Sequence, residues 1–226
     1  MSLNMTALST QNPMQNPQVQ VHVAPVGPLQ CNCTIIHHTL TQEAIIIDAG
    51  GDADALLAWL KERQLKLLAV YHTHAHFDHF LASEALRQAT GCALYLHEAD
   101  LPLWAMLDLQ CERFGMPKPP HPTQPPDGCI EDEQPLVLEG LGRHQTLFTP
   151  GHTRGSCCFH LEEQGILIAG DTLFRGGIGR TDLWGGSFEA IQKSITQRLF
   201  TLEGETLVVT GHGRLTQIHQ ERRAFQ

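Results

Sequence analysis

The sequence has few cations and no long apolar run. Of its 226 residues only 15 are Lys or Arg, against 24 Asp or Glu, which gives a formal net charge of -9. Because nucleic-acid binding depends on cations that neutralise phosphates, this deficit argues against a nucleic-acid partner. No window approaches the roughly 18 consecutive apolar residues that a membrane-spanning helix needs, so we expect no membrane association.

The chain also lacks the features of an exported protein. Its amino terminus has neither the basic segment nor the apolar stretch of a secretory signal, and residues 1–17 are rich in Asn, Gln, Ser, Thr and Pro. The seven cysteines are odd in number, so we expect free and mostly buried thiols. We therefore predict a flexible tail over residues 1–17, a single domain over residues 18–226 and a cytoplasmic location.

Histidine, by contrast, is abundant, with 14 residues, and three of these fall within residues 74–79. This segment follows the apolar run 67–70 and contains His74, His76, Asp78 and His79. His74 and His76 are two residues apart, so a helix would point them to nearly opposite sides and a loop is required. Because neutral imidazole is the commonest metal ligand, the cluster predicts a metal site on a strand-to-helix turn.

Apolar segments predict strands and helices that alternate along the chain, as in α/β proteins. The predicted elements fall into two similar halves along the chain, each with strands and helices. This implies two sheets packed face to face with helices on their outer sides. We expect Asp78 to cap a helix over residues 79–86. Six prolines within residues 116–128 predict a loop, which could form one wall of a substrate cleft. The predicted strands are 18–26, 33–39, 44–47, 67–71, 92–96, 134–138, 145–148, 157–161, 166–169 and 206–210, and the other predicted helices are 54–61, 97–113 and 188–200.

Three later strands are each followed by a glycine next to a residue that can bind metal. These residues are His152, Asp171 and His212. Glycine lets the backbone and an ion approach each other closely. A single His or Asp at a strand end is more often a cap or a satisfied polar group, but four such strand ends in one chain favour a shared metal site.

In this order the motifs resemble the metallo-β-lactamase fold superfamily, in which His-x-His-x-Asp-His is followed by a His, an Asp and a final His. The likeness covers about residues 19–225 and implies an α/β fold, the four-layer αββα sandwich. It also implies two divalent metal ions, with zinc preferred and iron or manganese as alternatives, since His and Asp serve all three. The resemblance assigns His74, His76 and His152 to the first ion, Asp78, His79 and His212 to the second, and Asp171 to both as a bridge.

Two of these residues, Asp78 and Asp171, are the carboxylates implied for catalysis. A further carboxylate, Asp48, matches a position that supports the ligand loop in this fold, where a hydrogen bond to a ligand histidine would fix its tautomer. The alternative for Asp48 is a plain turn residue before Gly50.

Residues 170–174 and 177–182 resemble the glyoxalase II branch, particularly its compact bacterial members. This resemblance implies a metal-dependent hydrolase, a thioesterase whose small anionic substrates are glutathione thioesters such as S-D-lactoylglutathione. Arg180 aligns with a basic residue that binds glutathione in that branch, and the guanidinium fork suits a carboxylate. The alternative for Arg180 is an ion pair with Asp182.

Two departures from glyoxalase II affect substrate recognition. The chain stops at Gln226, without the carboxy-terminal helical domain of full-length members, and Asp182 stands where their glutathione-binding tyrosine aligns. We expect recognition to come from the proline-rich loop, from Trp184, or from Arg222 and Arg223.

Two other functions remain open on the sequence. A persulfide dioxygenase of the same superfamily would use one iron on His74, His152 and Asp171, a two-histidine-one-carboxylate set. A protein that binds metal without catalysis is disfavoured, because structural zinc sites are usually closed and rich in cysteine. The sequence does not predict an oligomeric state.

Overall fold

The computed structural model describes residues 3–8, 18–119 and 124–225. Within these residues one sheet has seven strands in sequential order. Its first four strands are antiparallel and the rest run parallel, so a meander leads into a parallel α/β arrangement. The strands are β1 (Thr6–Leu8), β2 (Val19–Val26), β3 (Cys31–His38), β4 (Glu43–Ile47), β5 (Lys66–Tyr71), β6 (Ala93–Leu96) and β7 (Gly128–Cys129).

The second sheet has five strands in the order β14-β13-β10-β9-β8. Its central pair, β10 and β13, is parallel, whereas the other pairs are antiparallel. A small hairpin of β11 and β12 follows β10. The bounds are β8 (His144–Phe148), β9 (Cys157–Leu161), β10 (Ile166–Gly170), β11 (Leu173–Phe174), β12 (Gly177–Ile178), β13 (Leu207–Thr210) and β14 (Thr216–Gln217).

Helices cover the outer faces of both sheets, and three apolar clusters hold the layers together. In β4, Ile46 faces the cluster under the first group of helices, whereas Ile45 and Ile47 face the cluster between the sheets. A third cluster joins the second sheet to α5 and α6. This confirms the αββα sandwich. None of the described helices is long and apolar enough to cross a membrane. The helices are α1 (Ala53–Glu62), α2 (Ser83–Thr90), α3 (Leu101–Trp104), α4 (Leu107–Arg113), α5 (Phe188–Ser194), which continues as a π-helical turn (Ile195–Leu199), and α6 (Ile218–Ala224).

The prediction of a strand over residues 134–138 was wrong. Leu136 and Leu138 are buried between the sheets, but in the described residues the segment forms no ladder, and its backbone meets β8 at one hydrogen bond from Thr146 to the Gln134 carbonyl, 3.2 Å long. Beyond Gln134, side chains bond its backbone, since Leu136 donates to Nε2 of His144 and Val137 donates to the Tyr71 hydroxyl. The alternating pattern therefore reflects burial without a hydrogen-bonded ladder.

Three other expectations are corrected. Residues 6–8 lie in the predicted tail but pair as β1 with the edge of β2; residues 9–17 lie outside the described residues. Asp78 does not cap a helix, because it lies in a 3-10 turn (Phe77–His79) and α2 begins only at Ser83. The helix expected over 97–113 is broken into a 3-10 turn (Glu98–Asp100), α3 and α4.

Candidate metal centre

All seven predicted ligands meet at one edge of the two sheets. His74, His76, Asp78 and His79 follow β5, and the other three follow β8, β10 and β13. The loops of the two sheets are joined there by backbone hydrogen bonds, from Cys157 to Thr73 at 2.8 Å and from Asn32 to Gly211 at 2.7 Å. The strand-end positions singled out in the sequence thus form a single cluster.

Three histidines, which we call the first trio, direct ring nitrogens at one point. Nδ1 of His76 lies 3.1 Å from Nε2 of His74 and 2.8 Å from Nε2 of His152. Burial lowers the pKa of His74 well below its usual value and, with the neighbouring His152, lowers the pKa of His76 to about 3. These two rings are therefore neutral at pH 7. The nitrogen spacings of 3.1 and 2.8 Å lie slightly below the roughly 3.3 Å edge of a tetrahedron with Zn–N bonds of about 2.0–2.1 Å, so a small outward shift of the rings would admit such an ion.

Asp78, His79 and His212 form the second trio. Nε2 of His212 lies 3.1 Å from Oδ2 of Asp78 and 3.2 Å from Nε2 of His79. Burial disfavours a positive charge on His79, but the surrounding carboxylates of Asp48, Asp78 and Asp171 raise its pKa overall. The carboxylates around the second trio thus favour positive charge at this position.

Asp171 lies between the two trios. Its Oδ1 is 3.4 Å from Nε2 of His79 and 3.6 Å from Nε2 of His212, whereas Oδ2 is 3.5 Å from Nε2 of His152. Burial opposes its ionisation, but the histidines outweigh burial and lower the pKa of Asp171 well below its usual range. Oδ1 is buried without a hydrogen-bond partner among the described residues. An unpaired carboxylate oxygen between converging nitrogen lone pairs fits a pair of divalent cations.

Four of the five histidines in the two trios are fixed by a hydrogen bond from their outer nitrogen. Such a bond places the proton on Nδ1 and leaves the Nε2 lone pair for the metal. His76 differs, because its Nδ1 faces the site and its buried Nε2 has no partner among the described residues. The acceptors are Thr73 Oγ1 for His74 at 3.0 Å, Asp48 Oδ2 for His79 at 2.9 Å, the Arg180 carbonyl for His152 at 2.8 Å and the Leu29 carbonyl for His212 at 3.0 Å.

Asp48 supports both trios through hydrogen bonds to His79 and Thr73. Its Oδ2 accepts from His79 at 2.9 Å and from the Thr73 hydroxyl at 2.7 Å, and its Oδ1 accepts from the Thr73 backbone at 2.7 Å. The same Thr73 hydroxyl accepts from His74. Asp48 is therefore the supporting residue and not merely a turn residue, although its φ of 59° also reverses the chain.

A second supporting carboxylate, Asp100, was missed in the sequence. It is 1% exposed and follows β6. Its Oδ2 accepts from the Ala75 backbone at 3.0 Å and from the Thr153 hydroxyl at 2.7 Å, and its Oδ1 accepts from Gly155 at 2.7 Å. Asp100 thereby ties together the two loops of the first trio. Its place after a predicted strand is the signal that could have found it.

Glycine is required where the two sheets meet. A Cβ on Gly211 would lie 1.9 Å from Oδ1 of Asp171. Gly170 has a φ of 49°, and a Cβ there would lie 2.4 Å from the Thr73 hydroxyl oxygen. These two positions agree with the expectation that glycine makes room beside the ligands.

Next to the two trios lies a cavity that Arg180 helps to line. The side chain of Arg180 is, however, paired with that of Asp182. Its Nε and Nη2 each donate to a carboxylate oxygen of Asp182 at 2.8 Å, and both side chains are exposed. The ion pair that the sequence left open is therefore present. Arg180 contributes its backbone carbonyl to His152 and its side chain to the rim of the cavity.

The cavity has a volume of about 140 Å³, and its other walls differ from those expected. Neither Trp184, Arg222, Arg223 nor any described residue of the 116–128 loop lines it, and residues 120–123 lie outside the described residues. Apolar side chains from other parts of the chain line the cavity instead. They are Leu29, Phe77, Phe114 and Leu183.

The cysteines are all free, and all but Cys129 are buried, as predicted. Cys31 lies near the site, with its sulfur 3.5 Å from Nδ1 of His79. Burial raises the pKa of Cys31 to about 12, so it remains a neutral thiol behind the second trio.

Comparison with known proteins agrees with this geometry. Residues 26–212 match the family described as the metallo-beta-lactamase superfamily. The Haemophilus influenzae hydroxyacylglutathione hydrolase GloC is 36% identical over 208 residues, covering 91% of this chain and 96% of its own. The structure of BLEG-1 B3 metallo-beta-lactamase is similar with a TM-score of 0.81 and 37% identity, covering 90% of this chain and 96% of that one. TTHA1623 in a di-iron-bound form gives a TM-score of 0.76 and 36% identity, covering 88% and 96%.

Proposed function

The chain belongs to the metallo-beta-lactamase superfamily, and we propose that it is a dinuclear metal-dependent thioesterase that hydrolyses glutathione thioesters such as S-D-lactoylglutathione. The family supports a metal-dependent hydrolase in general. The thioester substrate is the finer part of the proposal, and it draws on the likeness to GloC and on residues 177–182.

The position of Asp171 is the observation that carries this proposal. One carboxylate directs Oδ1 at the second trio and Oδ2 at the first. A site for a single iron on His74, His152 and Asp171 would not require a preformed second trio with its own support from Asp48. The arrangement thus favours two ions over the mononuclear dioxygenase.

The residues around the site define its charge. Two divalent ions would bring four positive charges, lower the pKa of a shared water to about 7 and polarise a carbonyl oxygen. Asp78 and Asp171 remove two of these charges, so the centre stays positive and attracts anionic substrates. Both carboxylates are therefore proposed as catalytic residues, and Asp171 keeps the two ligand sets at a fixed spacing.

The reaction consumes water and yields an acid and a thiol. The oxygen of water bonds to the acyl carbon, the carbon–sulfur bond breaks, and the departing sulfur receives a proton. Zinc is the proposed metal because imidazole and carboxylate ligands suit it, and the di-iron form of TTHA1623 makes iron the second candidate.

The test is hydrolysis of S-D-lactoylglutathione by the purified protein, together with elemental analysis. We expect turnover with two ions per chain, and loss of turnover in Asp171→Ala. Asp108→Asn is the matched control, since Asp108 is exposed and paired with Lys118 away from the site.

Three results would overturn the proposal. One iron per chain with oxygen consumption on glutathione persulfide would indicate the dioxygenase. Cleavage of a β-lactam without cleavage of any thioester would keep the hydrolase but reject its substrate. No turnover on thioester, lactone and phosphodiester substrates would indicate a metal-binding protein without catalysis.

A further inference from the structure

We propose that the cavity at the metal centre selects thioesters by an apolar acyl group, so that linear aliphatic acyl chains are preferred as they lengthen from two to four carbons. This inference rests on the proposed thioesterase function and specifies its substrate class. It concerns the acyl half of the substrate and leaves the identity of the thiol open.

The cavity has one apolar side beside its polar centre. Phe77 and Phe114 lie with ring centroids 5.3 Å apart, and Leu29 and Leu183 complete this apolar wall. Leu29 is 45% exposed and Phe114 is 39% exposed, although both are large apolar residues. Side chains that remain exposed directly beside the ligands can gain free energy by covering an apolar part of a substrate.

The size of the cavity decides which part of a glutathione thioester enters. A cavity of about 140 Å³ suits a short acyl group, whereas a tripeptide is larger and would extend out of it. Glutathione is also polar and charged, whereas the four residues of the apolar wall carry no charge, and Arg180 at the rim already pairs with Asp182 through Nε and Nη2. The thiol half therefore extends toward solvent and the acyl half lies against the apolar wall.

The position of the reacting carbon agrees with this orientation. For hydrolysis, the acyl carbon must lie next to the two trios, because water bonds to it as the carbon–sulfur bond breaks. His76, Asp78, His152, Asp171 and His212 line the same cavity as the apolar wall. The first few carbons of the acyl chain would therefore lie in the cavity that Phe114 and Leu183 also line.

The test is a series of glutathione thioesters with acetyl, propionyl and butyryl groups, which share the thiol and have similar reactivity. We expect kcat/KM to rise by about tenfold from acetyl to butyryl, roughly threefold for each of the two added methylenes, which is less than a methylene contributes in an enclosed apolar pocket because this wall is partly exposed. Phe114→Ala should flatten this dependence, and Phe114→Leu should largely retain it. Leu109→Ala is the matched control, because Leu109 is an exposed residue of α4 that does not line the cavity.

The outcomes separate this inference from the proposed function. If no member of the series is hydrolysed, the thioesterase proposal itself fails. If all members are hydrolysed at similar kcat/KM and Phe114→Ala changes none of the ratios, the acyl preference is wrong. If Phe114→Ala instead alters the preference among butyryl thioesters of different thiols, the apolar wall binds the thiol half and the inference is overturned.

Discussion

Oδ2 of Asp48 lies 2.9 Å from Nδ1 of His79 and accepts its hydrogen bond. The same oxygen accepts from the Thr73 hydroxyl, which in turn accepts from Nδ1 of His74. His79 belongs to the second trio and His74 to the first. One buried carboxylate therefore fixes the tautomer of a ligand in each half of the centre.

Asp48→Asn should weaken metal binding by about 10- to 100-fold, the usual effect of removing such a partner. An amide has one acceptor oxygen and cannot receive all three hydrogen bonds, whereas asparagine tolerates the positive φ of 59° at this position. Competition with a chelator measures the affinity. Asp52→Asn is the matched control, because Asp52 is exposed and has a φ of 55°. Equal affinities in both variants would contradict the supporting role.

Asp100→Asn should weaken binding of the first ion more than the second. The amide nitrogen would face a backbone donor of Ala75 or Gly155, and the loops that carry the first trio would separate. An unsatisfied buried donor also costs about 1–3 kcal/mol of unfolding free energy. Stepwise metal titration measures both affinities. A uniform loss at the two sites would indicate a general structural effect and reject the specific role.

The seven candidate ligands could be located because each one lies in a loop after a strand that is visible in the local sequence. His152, Asp171 and His212 also stand beside glycines, and Gly211 is needed for space. Asp100 shares the strand-end position, but its partners Thr153 and Gly155 are more than 50 residues away, as the sequence separations of 53 and 55 show. Contacts of this kind depend on how the loops pack and leave no local pattern.

The apolar wall was not predictable for the same reason. Leu29 lies in a turn before β3 and Phe114 ends α4, and nothing in their neighbours indicates that they converge. The strand predicted over residues 134–138 was wrong for another reason. Buried and exposed side chains do alternate there, but the backbone of Leu136 and Val137 bonds to the side chains of His144 and Tyr71 and not to the backbone of a neighbouring strand.

Arg180 and Asp182 give a pair of variants with opposite expected effects. If Arg180 binds a glutathione carboxylate, Arg180→Ala should raise KM with little change in kcat, since this is binding common to ground and transition states. Asp182→Ala should free the guanidinium and lower KM, by at most about fivefold, because exposed ion pairs contribute about 0–1 kcal/mol. Steady-state kinetics on S-D-lactoylglutathione measure both. An unchanged KM in the two variants would remove Arg180 from substrate binding.

Stability should fall with acid partly through His37. Burial, with His22 and Arg63 nearby, lowers the pKa of His37 to about 4, and the residue as a whole is only 7% exposed. The unfolded chain binds this proton near pH 6.5, so between about pH 6.5 and 4 the unfolded state holds more protons and the folded state loses stability as pH falls. The contribution is at most about 3 kcal/mol.

His37→Leu should therefore reduce the loss of unfolding free energy between pH 7 and pH 5. Urea unfolding of metal-free protein measures this loss and keeps metal release from contributing. The same loss in wild type and variant would show that His37 titrates alike in both states.

The central claim is that two ions act together, and it is tested most directly by adding metal to the metal-free protein while S-D-lactoylglutathione hydrolysis is followed. Because Asp171 faces both trios, we predict that the rate stays low up to one ion per chain and reaches its plateau at two. A full rate at one ion per chain, with no further rise at two, would contradict the dinuclear account.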